Sequence, residues 1–271
     1  MTTGNGKIVC SEWRYWMLLG VAALGGSGMV ACGGSNSPSE PTPTNPGSGA
    51  LPAVVSLLTD TGVDSSMCFA TGNTTSWVSC SSAEARALNA QQDGMVGRDA
   101  AYPDASDGKL GFSYTKLDAS GAALPASAAA WSCVKDNTTG LTWEIKTADG
   151  GLRDMSMLYT NYGDNRAGDA SSFVTAVNAV GLCGYRDWRL PTLDELHSIV
   201  DYGRVNPAID TAFFINTPPA KWGGVYWDSA ATYCSSSPVA GDPASAWCVD
   251  FFTGVLVFIG RNSVSAVRLV R

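Results

Sequence analysis

The stretch of this 271-residue chain that most constrains its fold is Cys183–Tyr202. Its centre reads WRLPT, and the proline disfavours helix at the residue before it. Thr192 then stands as a helix N-cap with Glu195 three residues later, as in a capping box. The sequence therefore predicts an extended segment followed by a short helix, which packs on a core through residues that recur at helical spacing: Leu193, Leu196, Ile199 and Val200.

The composition indicates one main domain and excludes a nucleic-acid partner. Apolar residues make up 45% of the chain, enough for one sizeable core. The formal net charge is −7. Nucleic acid needs a basic stripe on the protein, and an acidic chain also has no general attraction to anionic lipid.

The first 31 residues are predicted to be a signal peptide, with Lys7 and Arg14 before an apolar run over residues 16–30. The run is too short, and too often broken by glycine, for a spanning helix. Its end, MVACG, resembles the lipobox of bacterial lipoproteins. That resemblance implies cleavage before Cys32, lipid on its sulfur and a place in the bacterial cell envelope, with Gly33 favouring the outer membrane. An ordinary secretory signal is the alternative.

Two segments separate the signal from the main domain. Residues 32–50 are rich in Gly, Ser, Pro and Thr, which is typical of a tether. Residues 51–127 are an extension in which Cys68 and Cys80 flank a small hairpin with Gly72 and Asn73 between its arms. Its Asp and Gly residues do not match the spacing of a calcium-binding EF-hand, and turns explain them, so calcium is unsupported.

Residues 128–271 resemble a known family. The segment WRLPTLDEL, the DNTTGLTW stretch that ends at Trp143 and the NPAID stretch at 206–210 are similar to the Lcl C-terminal domain family, named for a collagen-like bacterial adhesin. More distantly, RLPT resembles a segment of formylglycine-generating enzymes. Both belong to the C-type-lectin-like superfamily. The resemblance implies an α+β fold of two short helices packed on small, mostly antiparallel sheets with long loops, in which the last strand pairs with the strand of Trp143. The residues themselves predict that Trp143 lies in the core and that a helix runs from the N-cap Asp169 to a stop at Gly181. They also predict strands over residues 225–233, 246–252 and 255–259.

Six cysteines remain after the signal and Cys32, and they allow 15 pairings. We favour neighbours: Cys68 with Cys80, Cys234 with Cys248, and Cys133 with Cys183, which is similar to a bond in C-type lectins. The first two bonds close short loops. Because there is no CxxC pair and His197 is the only histidine, the rival zinc site is disfavoured.

We find no catalytic arrangement and predict no metal or cofactor. His197 lacks a nucleophile elbow nearby. We therefore expect an exported, lipid-anchored, non-enzymatic binding module for adhesion or for recognition of an extracellular glycan or protein; the sequence leaves its oligomeric state open. The alternatives are an enzyme of the formylglycine-generating type and a purely structural envelope lipoprotein. The candidate ligand-binding residues are Arg204, Lys221, Trp222, Trp227, Asp228 and Tyr233, of which Trp222 is the better exposed candidate and Trp227 favours the core.

Overall fold

The computed structural model describes residues 59–220 and 229–271, all within one compact unit, Ala53–Arg271. This part of the chain has an α+β fold with short helices and small antiparallel sheets, as predicted. Within it, no helix is long and apolar enough to span a membrane. The predicted signal peptide, Cys32 and the tether at 32–50 lie outside the described residues.

The strands form three antiparallel sheets. A hairpin contains β1 (Cys68–Ala70) and β2 (Asn73–Val78). The second sheet has the order β4-β3-β5-β6, with β3 (Tyr114–Leu117), β4 (Ala123–Leu124), β5 (Cys133–Asp136) and β6 (Thr142–Glu144). The third has the order β7-β8-β9, with β7 (Thr232–Val239), β8 (Asp242–Asp250) and β9 (Val255–Gly260). The helices are α1 (Ala83–Leu88), α2 (Asp93–Val96), α3 (Arg98–Ala101), α4 (Ala170–Val180) and α5 (Leu193–His197), with a 3-10 turn at Leu182–Gly184.

The capping box at α5 is present as predicted. The Glu195 backbone N–H donates to Thr192 Oγ1 at 3.3 Å, and the Thr192 N–H donates to Glu195 Oε2 at 2.8 Å. The Arg189 guanidinium also donates to both oxygens of Glu195, each at 2.7 Å, and these bonds lower the pKa of that carboxyl. The helix is only five residues long, yet Ile199 and Val200 beyond its end are still buried. The hydrogen bonds between Arg189 and Glu195 thus join the extended segment to the helix.

The last residues of the chain return to the strand of Trp143, as the family resemblance implies. Thr142 and Arg271 exchange backbone hydrogen bonds of 2.9 and 3.0 Å, and the Glu144 N–H donates to the Leu269 carbonyl at 3.0 Å. This closing segment, residues 266–271, makes isolated bridges rather than a regular strand. Trp143 is buried as predicted, but Thr142 and Glu144 are buried too, so β6 has no solvent face.

The predicted extension contributes a strand to the main fold. All four residues of β3 pair with β5, from Tyr114 opposite Asp136 to Leu117 opposite Cys133. The ring of Tyr114 lies in the core beside Phe213 and Phe214, at centroid distances of 5.4 and 5.2 Å. Residues 114–117 of the extension thus lie within the sheet that also contains β5 and β6.

The C-terminal sheet differs from the prediction at its first strand. A strand was expected over residues 225–233; residues 225–228 lie outside the described part, and β7 runs instead from Thr232 to Val239. Pro238 is tolerated because β7 is an edge strand with an irregular register at that residue. The strands expected near Ala246–Phe252 and Val255–Ile259 correspond to β8 and β9.

The three predicted disulfides are present. Cys68–Cys80 closes the first hairpin, Cys133–Cys183 joins β5 to the turn after α4, and Cys234–Cys248 links directly opposed residues of β7 and β8. All six cysteines are buried. Small exported domains commonly depend on such bonds, since the bonds restrict the unfolded chain.

We predict that the Cys133–Cys183 bond stabilises the fold most. It spans 50 residues, against 12 for Cys68–Cys80, so the chain-entropy model assigns it about 4 kcal/mol and the hairpin bond about 3 kcal/mol. Urea denaturation of the double variants C133A/C183A and C68A/C80A measures both losses. A smaller loss for C133A/C183A would contradict the prediction.

Candidate binding groove

The first hairpin presents two aromatic side chains to solvent. Gly72 has a φ of +74°, which glycine adopts without steric cost, and it turns the chain between β1 and β2. Phe69 and Trp77 project from the two strands, each with 57% of its surface exposed, and their ring centroids lie 5.0 Å apart. The Cys68–Cys80 bond fixes the base of the hairpin. The pair is therefore a pre-formed, solvent-facing aromatic surface.

The amide of Gln92 holds β1 in place. Its Oε1 accepts from the Phe69 N–H at 2.7 Å, and its Nε2 donates to the carbonyls of Phe69 and Ala85 at 3.1 and 3.0 Å. The side chain thus forms hydrogen bonds with the edge of β1 as a neighbouring strand would, and both its amide oxygen and its amide nitrogen are engaged. Both the backbone that carries Phe69 and the end of α1 are anchored by one residue.

A groove runs past these rings. One concavity of about 380 Å³ is lined by Val63, Met67, Phe69, Trp77, Asn89, Gln92, Asp93 and Tyr202. A second, of about 420 Å³, lies on the hairpin and also includes Phe69 and Trp77. Tyr202 in turn borders a third concavity of about 660 Å³ that reaches Asp194, Glu195 and His197. We call the first and third concavities together the hairpin groove.

The ring of Tyr202, 41% exposed, lines the groove together with Phe69 and Trp77. Its hydroxyl donates to the Gly254 carbonyl at 3.1 Å and lies 2.6 Å from His197 Nε2, so it accepts the proton of that nitrogen. Burial raises the pKa of Tyr202, which keeps the hydroxyl neutral and able to donate. Its backbone N–H donates to Thr61 O at 2.7 Å. The ring is consequently held in one orientation, with its polar end occupied.

The groove carries acidic side chains. Asp93 lines the first concavity and Asp194 the third, both side chains are exposed, and Asp93 accepts from Thr61 Oγ1 at 2.5 Å. Among the described residues that line the two concavities, none is Lys or Arg. Across residues 59–220 and 229–271 no group of three His, Cys, Asp or Glu side chains is arranged to hold a metal ion. The groove therefore presents aromatic rings, carboxylates and hydrogen-bonding groups.

Comparison with known proteins identifies the second half of the chain. Residues 132–271 match the model of the Lcl C-terminal domain family. The chain belongs to this family. No curated protein matches it. The Lcl C-terminal domain supplies Tyr202 and His197 of the groove, whereas Phe69 and Trp77 come from residues that precede the matched region. The groove is completed only by both parts.

Of the six predicted ligand residues, the structure describes only Arg204 and Tyr233. Lys221, Trp222, Trp227 and Asp228 lie outside the described residues. Placing Tyr233 on the binding surface was wrong: it is 0% exposed, because the start of β7 faces the core and the ring packs edge-on against Phe251 at 5.3 Å.

Arg204, the remaining candidate, is half-buried and bound within the fold. Its Nε lies 2.5 Å from Oδ2 of the buried Asp201, and its Nη1 lies 3.8 Å from Asp210. Lys109 contacts the other Asp201 oxygen at 3.2 Å. The guanidinium therefore balances the negative charge of a buried carboxylate in the Lcl C-terminal domain, which is a structural role.

The sequence reasoning missed Phe69 and Trp77. A signal was present: Trp77 stands in NTTSWVS, a polar stretch inside a predicted hairpin, where period-two alternation gives it no apolar neighbours to pack with.

We predict that Arg204→Ala lowers the free energy of unfolding by about 1–3 kcal/mol, since it removes a charged partner from a buried carboxylate. Urea denaturation measures the loss. Arg166→Ala is the control, because its ion pair with Asp164 is exposed on both sides and should contribute little. Unchanged stability of Arg204→Ala would mean that Asp201 does not depend on this contact.

Proposed function

We propose that this chain is an exported, lipid-anchored, non-enzymatic module of C-type-lectin-like fold that binds a ligand outside the cell, in adhesion or recognition. Membership of a family named for an adhesin supports a surface role. Three disulfides support an oxidising compartment. The lipobox-like sequence at Cys32 and the tether at 32–50 support a lipid anchor in the bacterial outer membrane.

The observation that carries the binding role is the exposure of Phe69 and Trp77 at the rim of the hairpin groove. Burying a large aromatic side chain removes apolar surface from water, which is favourable. An adjacent exposed pair of such side chains on a rigid hairpin is therefore a surface suited to a partner. Aromatic residues also dominate the energetics of binding sites, because they bury much area with few rotatable bonds. The groove provides the concave shape that recognition of a small ligand needs.

The alternative function is an enzyme of the formylglycine-generating type, whose copper needs two cysteine thiolates. In this chain Cys234 and Cys248 are joined across adjacent strands and are buried. This arrangement supports a structural bridge. Titration of thiols in the purified, folded chain tests the point: a reactive pair would favour the enzyme, and none favours the binding module.

We predict that Cys32→Ala moves the chain from the membrane fraction to the soluble fraction of the producing cell, because it removes the sulfur that would carry lipid. Fractionation and metabolic labelling with a fatty acid measure the change. Cys10→Ala is the matched control and should leave both results unaltered. Labelled fatty acid on Cys32→Ala would contradict the assignment of the anchor.

We predict that Trp77→Ala reduces retention of protein-coated beads on glycan- and glycoprotein-coated surfaces at least tenfold, since a central aromatic contact contributes more than about 1.4 kcal/mol. Phe258→Ala is the matched control, because Phe258 is an aromatic of similar exposure, 58%, outside the groove. Equal losses in both variants, or no loss in Trp77→Ala, would contradict the proposed site.

A further inference from the structure

The charge and polarity of the hairpin groove indicate what kind of ligand it takes. We infer that the groove binds an uncharged glycan, with one pyranose ring on Phe69 and Trp77 and a neighbouring ring against Tyr202. The inference rests on the proposed function and names its ligand.

The charge of the groove disfavours an anionic ligand. Asp93 and Asp194 are exposed among its lining residues, and none of its described lining residues is Lys or Arg. A sulfate or carboxylate that entered would approach carboxylates and lose water without gaining a charge-assisted hydrogen bond. Since Arg204 is bound to Asp201, it does not supply that bond. The groove therefore discriminates against polyanions.

The apolar surface of the groove suits the flat face of a sugar ring. A pyranose ring has one face of C–H groups, which packs on an aromatic ring while its hydroxyls point sideways. Tyr202 suits this use, because its hydroxyl already contacts His197 and Gly254 and only its ring remains to be covered. Phe69 and Trp77 line the same concavity as Tyr202 and offer the same kind of surface. Two aromatic walls in one groove fit two linked sugar rings.

Polar groups beside those rings suit the hydroxyls of a sugar. Asn89 Oδ1 accepts from the Gln91 N–H at 2.8 Å, and its amide nitrogen makes no hydrogen bond to any described residue. Asp93 uses Oδ2 for Thr61 and keeps Oδ1 as an acceptor. A donor and an acceptor in the same concavity match a sugar hydroxyl, which donates and accepts at once.

The test compares uncharged oligosaccharides of hexose and N-acetylhexosamine with heparin oligosaccharides, using the purified full chain in 50 mM and 500 mM NaCl. At least one uncharged oligosaccharide should bind with a Kd that changes less than twofold with salt, because no ion pair forms. Heparin should bind at least tenfold more weakly. Trp77→Ala and Tyr202→Ala should each weaken the uncharged ligand at least tenfold, while Trp77→Phe retains binding within a few-fold and Phe258→Ala leaves it unchanged.

The outcomes separate this inference from the proposed function. Tighter binding of heparin that is lost at high salt and still requires Trp77 would overturn the ligand class and leave the binding site standing. Binding of either ligand that ignores Trp77→Ala would overturn the site itself. No binding of any uncharged oligosaccharide would overturn the inference. Near-ultraviolet circular dichroism of each variant verifies that the fold is retained.

Discussion

The structure depends on the closing segment at the end of the chain. Residues 266–271 lie between β6 and the extended segment before α5: Val270 is bridged to Trp143 on one side and to Arg189 on the other, and Ala266 is bridged to Tyr233. One stretch thus connects the β6 sheet, the segment that leads into α5 and the start of the C-terminal sheet. Its side chains Leu269 and Val270 are buried in the two cores that meet there.

This junction also contains buried charge. Lys146 contacts Glu144 at 3.0 Å, and Arg268 donates to the Glu144 carbonyl at 3.2 Å and to Thr217 Oγ1 at 2.7 Å. Burial lowers the pKa of Lys146. Such pairs contribute little net stability, but breaking one leaves a buried charge without a partner, so they penalise any other register of the closing segment. These buried charges therefore help to fix the register of the closing segment.

Much of this could be predicted because the decisive signals are local. The N-caps Asp169 and Thr192, the stop at Gly181 and the favoured cysteine pairings depend on short stretches of sequence, and each is confirmed. Non-local features could not be read in this way. Tyr233 is buried because a distant segment covers it, and the strand Tyr114–Leu117 joins the sheet through partners 16 to 22 residues away. The exposure of Phe69 and Trp77 likewise depends on long-range packing, because no element of the described residues covers them, and a local sequence pattern does not encode this.

The same long-range packing places the groove where the matched family region meets the residues before it. The Tyr202 N–H donates to Thr61 O, and Gln92 fixes β1, so hydrogen bonds hold both aromatic surfaces that line the groove. The role of this groove in recognition can be measured on the indole N–H resonance of Trp77 in an NMR titration with an uncharged oligosaccharide. We predict that it shifts in a saturable manner while the Trp247 indole does not. A saturable shift of Trp247 with an unmoved Trp77 would contradict the account.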